Sequence, residues 1–248
     1  MSVPHRVQRL DEALVARGLA ESRTQAQRLI RAGSVRVDGQ LVVRPSHSVR
    51  ERSCIELLAR PRFVSRGGEK LEAAFQAFGL CAEGKICLDV GASTGGFTDC
   101  LLQHGARRVY AVDVGRGTLH WKLRTDPRVV SLEGINARYL SSRDVPEPVG
   151  LAVVDVSFIS LRLVLPAIVP LVEVRGDIVT LIKPQFEAGR NEVGRGGVIR
   201  SQEVRQRVVD SVRQFGVESL GLVWVGVIPS PVKGPAGNVE FLAAWKRP

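Results

Sequence analysis

The chain has 248 residues, 44% hydrophobic and 24% charged, enough to bury one large core or a medium core with a small attachment, which excludes a disulfide-stapled peptide and a disordered chain. Its longest apolar stretches, Leu163 to Val172 and Ile178 to Ile182, fall short of the ~20 residues a bilayer requires, so no spanning segment and no membrane partner are expected. The net charge of +10 is uneven: residues 1–66 carry 13 Arg, no Lys and 6 acidic residues, and the remainder is nearly balanced. A small basic segment on a neutral larger one suggests a polyanion-binding module joined to a part with another task, against the duller reading of a solvated basic face.

In chain order, the charged N-terminus lacks the apolar run of a secretory leader, and a cytoplasmic location is expected. Val7, Leu10, Leu14 and Val15 fall at helical spacing, predicting a helix that Gly18 closes. Ser22-Arg23-Thr24-Gln25 reads as a capping box opening a second helix through Ala26, Leu29 and Ile30 to Gly33. Val35 to Val37, Asp38-Gly39 and Gln40 to Val43 predict a hairpin, because Asp-Gly supplies the positive φ angles of a tight turn. Pro61 and the change in composition after it mark a linker over 60–66, leaving units of 1–59 and 67–248. The four cysteines, Cys54, Cys81, Cys87 and Cys100, show no C-x-x-C spacing and are expected to be reduced, mostly buried and without a metal.

Arg9-Leu10-Asp11, Leu14, Gly18, Ser22-Arg23, Ala26, Leu29-Ile30, Gly33, Val35, Val37 and Asp38-Gly39 resemble the small RNA-binding domain first known from a small-subunit ribosomal protein. The resemblance implies that Arg23, Arg28, Arg31 and Arg36 face RNA phosphates, positioning RNA without reading its sequence. Arg9 joins this set, with a competing reading as a local ion-pair partner of Asp11 or Glu12.

Further on, Ile86 to Val90 is a buried strand that enters the loop Gly91-Ala92-Ser93-Thr94-Gly95-Gly96 and then a helix from Phe97 to His104. The glycines let backbone approach a ligand, and the helix start offers free amides. The strand Arg108 to Asp113 ends in an acid able to accept hydrogen bonds from a ribose. Strands near Val129 to Leu132, Leu151 to Asp155 and Ile178 to Ile182 alternate with helical segments, predicting a doubly wound α/β sheet. A dinucleotide loop would carry glycine where Ser93 stands, and the terminal pair of strands, Leu220 to Ile228 and Val239 to Trp245, suits a class I (Rossmann-like) methyltransferase better than a dinucleotide domain. S-adenosyl-L-methionine is therefore the expected cofactor.

Methyl transfer to a hydroxyl needs a place to send the proton. Asp155 and Lys183 end strands, Lys70 opens a helix and Glu240 lies in the last strand, so two lysines and two carboxylates could converge. Neighbouring positive charges would favour a neutral amine, able to act as base, and carboxylates would oppose it. The duller alternatives are a strand-end pair between Asp155 and Lys183, and a pair between Glu240 and Lys246.

The segments Ser65-Arg66-Gly67-Gly68-Glu69-Lys70-Leu71, Leu88 to Asp99, Asp155-Val156-Ser157-Phe158-Ile159-Ser160-Leu161, Leu181 to Glu187 and Gly237-Asn238-Val239-Glu240 resemble the TlyA family, once called haemolysins. The resemblance implies an FtsJ-like catalytic domain that methylates cytidine ribose 2′-hydroxyls in ribosomal RNA. It assigns the catalytic tetrad to Lys70, Asp155, Lys183 and Glu240, with Lys183 as base. It also implies cofactor contacts at Asp89, Gly91, Ser93, Gly95, Gly96, Phe97, Asp113, Asn136 and Asp155. Ribosomal RNA or ribosomal subunits are the expected partners, with no metal and a monomeric chain. Phe158 and Phe186 are expected to pack, with help to a flipped nucleotide as the second reading, and the glycine-rich stretch around Arg195 could close over RNA or simply be flexible. Two other functions stay open: a membrane-active cytolysin, and an RNA-binding chaperone without turnover.

Overall fold

The computed structural model describes residues 7–58 and 62–248, which fall into two compact units, Met1–Pro61 and Arg62–Pro248. Residues 60 and 61 of the expected linker lie outside the described residues.

In the smaller unit, β1 (Val7–Arg9) pairs antiparallel with β4 (Ser48–Arg50), and α1 (Leu10–Ala16) follows directly. The helix expected from Val7 therefore begins at Leu10. Three extended residues running into a helix leave the apolar spacing unchanged, so periodicity alone misses the join. In α2 (Arg23–Arg31) the Ser22 hydroxyl accepts from the Gln25 amide at 3.2 Å, while Gln25 reaches back to the Glu21 amide, one residue ahead of a regular capping box. The hairpin of β2 (Val35–Val37) and β3 (Gln40–Leu41) turns on Asp38 and Gly39 at φ +50° and +81°, and β5 (Ile55–Leu57) flanks β2 on its other side. Leu10, Leu14, Ala26, Leu29, Ile30, Val35 and Val49 form the small core between these elements.

The larger unit contains α3 (Gly67–Phe78), β6 (Ile86–Val90), α4 (Gly96–Gln103), β7 (Arg108–Asp113), α5 (Trp121–Arg124), β8 (Val129–Glu133) and β9 (Val149–Val154). It continues through α6 (Leu161–Ile168), β10 (Val172–Ile182), α7 (Pro184–Glu187), α8 (Gln202–Gln214), β11 (Val223–Pro229) and β12 (Phe241–Lys246). Among the described residues the sheet runs β11-β12-β10-β9-β6-β7-β8, with β10, β9, β6, β7 and β8 mutually parallel and β12 antiparallel to both its neighbours. This is the expected doubly wound sheet closed by a terminal antiparallel pair.

Its central strands are apolar on both faces because both are covered. Leu88, Val90, Ala152 and Val154 pack with Leu161, Leu165 and Val209 on one side, and Cys87, Leu151 and Val153 pack with Leu71, Phe75 and Leu101 on the other. Cys87 and Cys100 are buried, and burial pushes the Cys87 thiol up to about 12 and the Cys100 thiol higher still, so both stay protonated. The expectation of mostly buried cysteines fails at Cys54 and Cys81, which are exposed because both sit in connections between elements. No helix among the described residues is long and apolar enough to cross a membrane.

Candidate active site

Parallel strands deliver their carboxyl ends to one edge of a sheet, and here that edge receives Gly91 after β6, Asp113 at the end of β7, Asp155 after β9 and Lys183 after β10. Because β12 runs antiparallel to β10 with Phe241 opposite Ile182, the residue before it arrives at the same edge. That residue is Glu240, which stands just ahead of the last strand rather than within it.

Lys70 comes from the first turn of α3, where close glycine packing sets its approach. A Cβ at Gly96, the first residue of α4, would lie 2.8 Å from the Gly68 amide nitrogen, and one at Gly68 would lie 2.2 Å from the Phe63 ring. Only bare backbone lets these helix starts meet so closely.

The four side chains form one line of alternating charge. Lys70 Nζ is 2.7 Å from Glu240 Oε2 and 3.9 Å from Asp155 Oδ2, and Lys183 Nζ is 2.6 Å from Asp155 Oδ1 and donates to Ser157 Oγ at 2.7 Å. Lys70, Lys183 and Glu240 are buried, and Asp155 is partly open. Charges so far from water persist only when paired, and two ammonium groups here balance two carboxylates. Lys246, the alternative partner considered for Glu240, instead pairs with Asp177 at 2.8 Å.

Beside this line lies a cleft of about 380 Å³. Of the residues expected at the cofactor, Gly91, Ser93, Asp113, Asn136 and Asp155 line it, together with apolar Val114, Ile135, Val156 and Ile159. A Cβ at Gly91, at φ +87°, would lie 2.4 Å from the Asp155 carbonyl oxygen, so the loop crosses the strand end only as glycine. Ser93 holds φ +50°, and Asp113 accepts from the Ser93 and Gly115 amides at 2.7 Å each. Asn136 accepts from the Arg138 amide.

Asp89, Gly95, Gly96 and Phe97 do not line the cleft. They lie buried behind the loop, with Phe97 in the core and a Cβ at Gly95 only 2.2 Å from Leu123. Asp89 accepts from the Thr98 hydroxyl at 2.6 Å, and its other oxygen has no hydrogen-bond partner among the described residues. Burial pushes this acid up to about 7, with Thr98 opposing and the charges of Asp155 and Asp113 adding. Apolar walls, a carboxylate at the end of β7 and a glycine cradle fit an adenosyl group carrying an amino acid tail.

Two residues of this site escaped the expected list. Ser157 bonds Lys183 and lines the cleft, a contact with no trace in residue spacing. Phe158, expected to pack, is 91% exposed at φ +63° on the cleft wall, with the Phe186 ring centroid 5.1 Å away. The chain leaves the sheet at Asp155 and turns the ring outward, away from the packing expected of it.

In the smaller unit the basic side chains divide. Arg9 bonds the buried Asp11 through two contacts of 2.9 Å and lies 4.0 Å from Glu12, which is the ion-pair reading considered for it. Arg23 and Gln27 reach the same carboxylate at 3.1 and 2.8 Å, and these bonds, led by that of Arg9, hold Asp11 well below the usual carboxylate range. Arg28, Arg31 and Arg36 are exposed. Apart from these, Glu72, Cys100 and His104 bring donor atoms within 4.8 Å of one another, yet Glu72 already holds the Arg62 guanidinium at 3.0 Å and His104 at 2.8 Å.

Comparison with known proteins gives residues 63–247 as a match to the FtsJ-like methyltransferase family and residues 8–52 as a match to the S4 domain. The 16S/23S rRNA (cytidine-2′-O)-methyltransferase TlyA of Mycobacterium tuberculosis is 49% identical over 241 residues, covering 96% of this chain and 89% of the relative. Hemolysin A of Brachyspira hyodysenteriae is 46% identical, covering 95% of this chain and 98% of the relative. A solved structure from Streptococcus thermophilus, also named for hemolysin, is 43% identical with a TM-score of 0.77, covering 97% of this chain and 88% of that one.

Proposed function

The chain belongs to the FtsJ-like methyltransferases and, among them, to the TlyA rRNA (cytidine-2′-O)-methyltransferases, and from that premise we propose that its line of charge carries a ribose hydroxyl methylation dependent on S-adenosylmethionine. The cofactor, when bound, supplies a methyl group on a positively charged sulfur. Asp113 would hold its ribose, Asn136 its adenine and Asp155 its amino group, with Gly91 and Ser93 forming the near wall. Asp89, Gly95, Gly96 and Phe97 shape the loop from behind. Lys183, after giving up its own proton, takes the proton from the cytidine 2′-hydroxyl as the amine, and Asp155 holds that amine in place. Lys70, fixed between Asp155 and Glu240, keeps the carboxylates apart and orients the hydroxyl.

The observation that carries this reading is the unbroken chain of contacts from Glu240 through Lys70 and Asp155 to Lys183, which meets the cleft at Asp155. The exposed Phe158 ring offers a stacking face for a nucleotide turned out of its helix. Residues 1–59 dock ribosomal RNA through Arg28, Arg31 and Arg36, with 60–66 joining them to the catalytic unit 67–248. The protein works as a monomer in the cytoplasm, without a metal.

Lys183→Ala tests the assignment. Methyl transfer to ribosomal RNA is expected to fall by more than about a hundredfold, as loss of a general base does, while the Kd for S-adenosylmethionine stays within a factor of two or so. Normal turnover by that variant would remove Lys183 as the base. The membrane-active reading raised by the hemolysin names is tested by dye release from protein-free liposomes, and none is expected.

A further inference from the structure

We propose that Ser157 is a positioning residue for Lys183, holding the amine toward the cleft through its hydroxyl, an inference that rests on Lys183 as the base. Of the three donors of the Lys183 ammonium, one makes a hydrogen bond of 2.7 Å to Ser157 Oγ, while Asp155 Oδ1 lies 2.6 Å from Nζ as an ion-pair contact without hydrogen-bond geometry. The Asp155 carboxylate is shared, its other oxygen lying 3.9 Å from Lys70 Nζ. Asp155 alone therefore fixes a distance and leaves the long lysine stem free to swing. Ser157 supplies the second anchor on the side that lines the cleft.

Its own backbone is set on both sides. The Asp155 amide donates to the Val90 carbonyl at 2.9 Å, and Phe158 turns at φ +63° immediately after. The groups facing Lys183 from the elements around it are Asp155 after β9, Lys70 on α3 with its partner Glu240 before β12, and the Phe186 ring on α7, its centroid 6.0 Å from Nζ. Ser157 is the neutral hydroxyl in this set. Its removal leaves the base less well aimed.

The test uses the full chain with Ser157→Ala, Ser157→Thr and Lys183→Ala, measuring kcat and KM for methyl transfer and the Kd for S-adenosylmethionine by calorimetry. In Ser157→Ala, kcat at its optimum is expected to fall about tenfold, the value of one charge-assisted hydrogen bond. The KM for RNA and the cofactor Kd remain near wild type. Ser157→Thr, which keeps the hydroxyl, restores the rate. A Ser157→Ala kcat equal to wild type, or a cofactor Kd that weakens in step with the lost rate, overturns the proposal. If Lys183→Ala is inactive in that case, the base assignment survives and only Ser157 is misassigned. An active Lys183→Ala overturns both.

Discussion

A methyl group at Gly91 would meet the Asp155 carbonyl at 2.4 Å on a backbone at φ +87°, so Gly91→Ala must displace the backbone at Asp155. We expect S-adenosylmethionine binding to weaken more than tenfold in this variant, checked by calorimetry, with the helical signal of the fold largely kept. Asp89 makes a prediction of a different kind. It ionises near 3.8 as a free side chain and near 7 when buried, so between those values the native state binds more protons than the unfolded one. Its contribution to stability is therefore full below about 3.8 and is lost as the pH rises toward 7. Asp89→Asn should flatten that part of the curve, with a smaller drop in melting temperature between pH 5 and pH 8 than wild type shows. An equal drop in both would place the titrating group elsewhere.

Among the elements, the segment before β12 depends on Asn238. This buried amide donates to the Gly197 carbonyl at 2.8 Å and accepts from the Ile199 amide at 3.0 Å, tying the glycine-rich stretch around Arg195 to the turn that presents Glu240. Asn238→Ala leaves both backbone groups without those bonds. A loss of about 1–3 kcal/mol in urea unfolding is expected, with faster proteolysis around residue 197.

At this scale the sequence was informative where one element sufficed. The strand ends that carry Asp113, Asp155 and Lys183, the Asp38-Gly39 turn and the antiparallel closing strands all follow from local pattern. The same pattern missed β1, which exists only by pairing with Ser48–Arg50 far along the chain. It offered the Arg9 pair with Asp11, but it could not show that Arg23 and Gln27 would reach the same buried carboxylate, because that depends on which side chains the fold brings together. Nor could spacing show the Ser157 contact or the outward Phe158, since both depend on how the chain turns after leaving β9.

For the whole molecule, the uneven charge assigns two tasks to two units. Arg28, Arg31 and Arg36 are exposed in the smaller one. Changing all three to Ala should weaken binding to ribosomal RNA regardless of sequence and reduce the slope of log affinity against log salt by roughly 2 to 3, since each phosphate contact contributes about 0.7 to 0.9. An unchanged slope would move docking to the catalytic unit. The central claim, that the carboxyl edge of the sheet methylates a cytidine ribose, is tested most directly by nucleoside mass spectrometry of ribosomal subunits incubated with S-adenosylmethionine and either the wild-type protein or Lys183→Ala. The account predicts 2′-O-methylcytidine with the first and none with the second. A methyl group on a base or on another nucleoside, or equal 2′-O-methylcytidine from both proteins, would contradict it.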